Sequence, residues 1–108
     1  MYYRRKVLLA LIEKFGGELE KMRLQKLLML FCETQVKPVF HFVPYKYGCY
    51  SFQSNADLNT LIKYGKTEIT ERSWKLAEKG HYISDLKPED QRRLNDIFNE
   101  FHALSIDS

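Results

Sequence analysis

Two apolar stripes at helical spacing, parted by a glycine pair, constrain this chain more than any other feature. Leu8, Leu11, Ile12 and Phe15 fall at i, i+3, i+4 and i+7, and Leu24, Leu27, Leu28 and Phe31 repeat the spacing. The pattern predicts a helix over 3–15, stopped at Gly16-Gly17, and a second over about 21–34. Met22, Leu30 and Cys32 widen the second stripe, so that helix is expected to be central and buried on most sides. With 44% hydrophobic and 14% aromatic residues among 108, a single domain over 1–108 can close a core without disulfide or metal staples.

Past Pro38 the pattern changes. Residues 39–47, rich in β-branched and aromatic side chains, read as a strand. Pro44 lacks an N–H, which places that strand at an edge or on a bulge, and Gly48 is the expected bend. Ser51 or Ser54 can cap a third helix over about 55–64, with Leu58, Leu61 and Ile62 inward and Gly65 at its end. Residues 67–79 admit two readings. A hairpin pairs 67–70 with 74–77 around Glu71-Arg72-Ser73; a short helix runs from Thr70 to Gly80. Alternation of Trp74 and Leu76 with Lys75 favours the hairpin, although the turn has no glycine. Pro88 suits the first position of a last helix, and Glu89 and Asp90 suit the positive end of its dipole. Leu94, Ile97, Phe98, Phe101 and Leu104 form its inner face.

The expected fold is therefore α+β and mostly helical: four main helices, an edge strand and a hairpin, in an order that resembles a winged helix. A DNA-reading helix-turn-helix joins its helices by about 3–4 residues. Here residues 35–51, including FVPYKYGCYSFQ, stand between the second and third.

Charge and motifs narrow the function classes. The net charge of +3 is uneven: residues 1–84 carry +6 and residues 85–108 carry −3. A basic body suits weak attraction to nucleic acid and equally a bipolar protein that docks on a partner. The start, MYYRRKVLLALIEKF, is basic and then apolar, but Glu13 and Lys14 interrupt it and no small-residue cleavage site follows, so it reads as a helix and not a signal peptide. No apolar run approaches the roughly 20 residues of a membrane span. A cytoplasmic protein without a membrane partner is expected.

Phosphate-loop, dinucleotide-binding, metalloprotease and nucleophile-elbow motifs are missing from the sequence. Cys32, His41 and Cys49 fit no zinc spacing, so no metal or other cofactor is expected and both cysteines read as buried free thiols. His41 reads as a half-buried, hydrogen-bonded imidazole within the strand. Cys49 beside Ser51 suggests a nucleophile, but no base and orienting group accompany it. The chain reads as a binder and not an enzyme.

Two binding surfaces compete. Tyr45, Tyr47, Tyr50, Gln53 and Arg72 combine amphipathic aromatics with a polar rim, the composition of a protein interface. Asn55, Asn59 and Lys63, on the polar side of the third helix, are the types that read adenine edges and meet phosphates. Lys66 and a wing bearing Arg72 and Lys75 would add phosphate contacts.

The run YYRRKVLLALIEKFGGELEKMRLQKLLMLF followed by FVPYKYGCYSFQ resembles the SocA-like, or Panacea, domains and related prokaryotic and phage-associated proteins. Those share a Leu-x-Lys-Leu-Leu-like helix, here Leu24-Gln25-Lys26-Leu27-Leu28, and then a glycine motif before a helix, here Gly48-Cys49, with Cys49 in place of the usual proline. WKLAEKGHYISDLKPEDQRRLNDIF looks like the tail of a branch in which this unit precedes a second domain. The resemblance covers about residues 2–101. It implies an antitoxin-like or adaptor-like module that binds a toxin, a client protein or a downstream domain without catalysis, free-standing or at the N-terminus of a longer protein. It carries over no catalytic residues.

Overall fold

The structure, a computed structural model, describes residues 1–46 and 48–103. Tyr47 and Leu104, both named above, lie outside the described residues. Helix α1 (Tyr3–Lys14) is followed by strand β1 (Glu18–Glu20) and helix α2 (Lys21–Glu33). A small hairpin of β2 (Val43–Tyr45) and β3 (Gly48–Tyr50) leads into helix α3 (Phe52–Lys63). A second hairpin, β4 (Thr67–Ile69) and β5 (Ser73–Leu76), precedes a 3-10 turn at Ile83–Asp85 and helix α4 (Pro88–Phe101). The chain is α+β and mostly helical, as the apolar stripes predict.

The central helix is α1, not α2. Val7, Leu8, Leu9, Ala10, Leu11 and Ile12 are all buried, because α2, α3, α4, β5 and the 3-10 turn pack around this one helix. On α2 the expected stripe is narrower: Cys32 is buried, Leu30 is half-buried and Met22 is exposed. Gly16 and Gly17 end α1 with positive φ values of 100° and 98°, and the Gly17 N–H closes the turn on the Ile12 carbonyl at 2.9 Å.

The hairpin reading of residues 67–79 holds. Thr67, Glu68 and Ile69 pair antiparallel with Leu76, Lys75 and Trp74. The other edge of β5 takes β1, with Leu19 opposite Trp74, so the sheet order is β1-β5-β4. Trp74 and Leu19 are buried on its inner face. The outer face carries Glu18, Glu20 and Glu68 around Lys75.

Two expected boundaries move. The strand over 39–47 contracts to 43–45, because Phe40 is buried in the core at 2% exposure and the Val39 N–H is satisfied by the Gln35 side chain at 3.1 Å. That leaves His41 in an exposed loop and not in a strand. The third helix starts three residues early, at Phe52, because Ser51 is the cap: its hydroxyl accepts the Ser54 N–H at 3.1 Å. The first turn of α1 is tied to the start of α4 by Tyr3, which donates to Asp90 at 2.7 Å and accepts the Lys87 N–H at 2.9 Å. Burial, and then the bond to Asp90, push its hydroxyl up to about 12.

Candidate functional site

The β2–β3 hairpin stands apart from the main sheet. Tyr45 lies opposite Gly48, which leaves a two-residue turn, and Gly48 has a φ of 118° that a side chain would resist. The pair closing such a turn exchanges both backbone hydrogen bonds, and the ladder then alternates. Pro44 and Cys49 are therefore the next, non-bonded pair. Pro44 has no N–H to lose there, which is why the hairpin tolerates it. Cys49 turns its N–H and C=O away from β2.

One face of the hairpin is aromatic. Val43 and Tyr45 share it by alternation, and Tyr50 sits opposite Val43. Phe52, the first residue of α3, joins them. Ring centroids lie 5.4 Å apart for Tyr45 and Tyr50, 5.3 Å for Tyr45 and Phe52, and 4.9 Å for Tyr50 and Phe52. The cluster faces solvent: Val43 is 46% exposed, Tyr45 48% and Phe52 55%. Tyr50 is half-buried, and burial followed by the neighbouring Tyr45 pushes its hydroxyl upward.

Behind this face the site is held by buried polar groups. The Gln25 carboxamide, on α2, accepts the Ser51 N–H at 2.8 Å and donates to the Ser54 hydroxyl at 2.9 Å. One residue thus ties the hairpin exit and the first turn of α3 to α2. A turn further along, the buried Asp57 carboxylate receives Arg4 at 2.6 Å, Arg5 at 3.0 Å and Gln53 at 3.1 Å. Burial alone would raise the Asp57 pKa, but the two guanidiniums and the Gln53 amide outweigh it and hold the group below its ordinary value. Gln53, expected at a contact surface, is exposed, and its amide donates one hydrogen bond to Asp57.

Between α2 and the hairpin lies a cleft of about 140 Å³. Lys21, Met22 and Lys26 form the α2 wall, Tyr45, Cys49 and Tyr50 the hairpin wall, and Trp74 and Asn55 border it from the sheet and from α3. Cys49 is exposed there, not buried as its apolar neighbours in sequence suggest.

Of the residues expected to meet a protein partner, Tyr45 and Tyr50 come together at this cleft. Arg72 is exposed in the β4–β5 turn, with its carbonyl accepting the Lys21 N–H at 2.8 Å. Of those expected to meet DNA, Asn55 borders the cleft, Asn59 donates its amide to the Asn55 carbonyl at 3.0 Å, and Lys63 is exposed in the last turn of α3. Lys66 is paired with Glu78 at 3.0 Å. Sequence reasoning missed Phe52, Met22 and the Gln25 anchor. Phe52 directly follows a capping serine, a signal that would have placed it at the start of a helix.

Among the described residues no cluster of three His, Cys, Asp or Glu is placed to hold a metal ion, and no helix is long and apolar enough to cross a membrane. In comparisons with family models, curated proteins and solved structures, none matches the chain.

Proposed function

We propose that this chain is a non-catalytic protein-binding module of a prokaryotic or phage-associated system, antitoxin-like or adaptor-like and cytoplasmic. In this reading it recognises a toxin, a client protein or a downstream domain through the face formed by Val43, Tyr45, Tyr50 and Phe52. The observation that carries the reading is a cluster of three mutually packed aromatic rings, Tyr45 and Phe52 exposed and Tyr50 half-buried, at a hairpin fixed from behind by Gln25. Rigid, amphipathic aromatics are the side chains that anchor interfaces. The resemblance of residues 2–101 to SocA-like domains agrees with it.

The test is affinity capture from the native cells, with bound proteins identified by mass spectrometry, using the intact chain and the Tyr45→Ala/Phe52→Ala double variant. The variant should melt cooperatively and retain less than about a thirtieth of the binding, as expected for losing a hot spot of about 2 kcal/mol. Capture unaffected by the double substitution sinks the proposal.

A winged-helix DNA-binding regulator is the second reading. It is favoured by the element order, with α2 and α3 ahead of the β4–β5 wing and β1 paired to β5. In it, Asn55, Asn59 and Lys63 would face the duplex. The carboxylates on the outer sheet face and the internal bond made by Asn59 weigh against it. Duplex binding that falls steeply with salt and depends on sequence would establish it.

A further inference from the structure

Resting on the protein-binding reading, we propose that the cleft between α2 and the β2–β3 hairpin seats one aromatic or large aliphatic side chain from an acidic peptide segment of the partner. Its volume of about 140 Å³ sets the scale. A dry apolar cavity of about 150 Å³ holds one benzene ring, so the cleft takes one large side chain and not a folded element. Its walls suit that guest: Met22 is an adaptable apolar surface, and Tyr45 and Tyr50 supply aromatic contact, while the buried Trp74 only borders the cleft.

Charge selects the flanks of the segment. Lys21 and Lys26 line the cleft, Lys46 stands in the adjoining turn, and no carboxylate is among the described lining residues. Lys21 and Lys46 take part in no ion pair among the described residues. The Lys21 ammonium donates to the Glu71 carbonyl at 3.0 Å, which leaves it further protons to offer. A peptide with carboxylates on either side of its anchor would meet these cations. The outward N–H and C=O of Cys49 give such a peptide a main-chain contact, as an added strand takes at an open edge.

The same cations and rings could hold a base of single-stranded nucleic acid. The geometry favours the peptide. Tyr45, Tyr50 and Phe52 engage one another, with two of the three ring pairs edge-on. The Gln25 amide, which would otherwise read a base edge, is satisfied by Ser51 and Ser54.

The test titrates the labelled protein, followed by two-dimensional amide NMR, with an end-blocked peptide carrying one phenylalanine between acidic residues. The amides of Met22, Cys49, Tyr50 and Asn55 should shift saturably. A peptide with serine for phenylalanine should not produce these shifts. Lys46→Glu, on an exposed turn, and Lys21→Glu should each weaken binding roughly threefold or more at low salt, and about 1 M salt should weaken it in the unaltered protein. No saturable shift, or equal binding of a lysine-flanked peptide, overturns the proposal, as does tighter binding of an oligothymidine than of the peptide. If the peptide fails while Tyr45→Ala/Phe52→Ala still abolishes capture, the cleft is excluded and the aromatic face remains the contact. If both fail, both readings fall.

Discussion

In the β4–β5 hairpin the aromatic residue, Trp74, is 2% exposed and lies directly opposite Leu19 on a third strand, β1. In the β2–β3 hairpin, Tyr45 is 48% exposed and no third strand covers either edge among the described residues. The first hairpin is bound into the body through β1, whose pairing continues in the Leu76 N–H to the Gly17 carbonyl at 2.9 Å and the Lys21 N–H to the Arg72 carbonyl at 2.8 Å. The second depends on α2 and Gln25. An isolated two-stranded hairpin is marginal in water, so the aromatic face at Tyr45 persists because polar groups behind it are satisfied, not because it is buried. The contrast separates residues that hold the fold from residues that are free to meet something else.

If that division is right, substitutions in the two hairpins should part stability from binding. Trp74→Ala should cost about 3–5 kcal/mol. For a domain of this size that lowers the melting temperature by about 12 °C or more in calorimetry. A loss under about 1 kcal/mol would show that the main sheet does not depend on its tryptophan.

Asp57→Asn acts on the support behind α3 and should cost about 2 kcal/mol at neutral pH in urea unfolding. The sign with pH follows from the lowered carboxyl. Its stabilisation is complete above the ordinary value of 3.8 and is lost as pH falls through the lower folded-state value. The stabilities of the parent and the variant should therefore converge in acid. A gap that stays constant below pH 3.8 would exclude Asp57 as the titrating group.

Tyr45→Ala should have the smallest effect on stability, about 1 kcal/mol or less, since it removes ring contacts and little burial. A melting shift as large as that of Trp74→Ala would make the hairpin face structural.

The helices were legible in the sequence because each carries its own period and punctuation. Leu24, Leu27, Leu28 and Phe31 define α2 without outside help, and Pro88 marks the start of α4. The β4–β5 hairpin was legible from Trp74, Lys75 and Leu76. Strand β1 was not, because Glu18-Leu19-Glu20 has one apolar residue and is a strand only by virtue of the open edge of β5. The centrality of α1 was also hidden: one stripe predicts one buried face, whereas Val7, Leu9 and Ala10 are buried by neighbours arriving from elsewhere in the chain. At the candidate site Tyr45 and Tyr50 could be named in advance. Phe52 depends on which serine caps α3, since its direction changes with the start of that helix. Gln53 is exposed, but the bond from its amide to Asp57 was hidden in the sequence, because that carboxylate is fixed only when Arg4 and Arg5 arrive from α1.

Pro44 has one further effect. Its nitrogen faces the edge of β2 away from β3 and offers no proton, while the corresponding edge of β3 presents the complete Cys49 amide. The hairpin is thus a sheet with one growing side and one terminated side. A foreign segment can dock on the growing side, but copies of the hairpin cannot add to one another indefinitely. An exposed aromatic hairpin of this kind would otherwise be a seed for fibrils, and a single ring at position 44 stops that growth on one side.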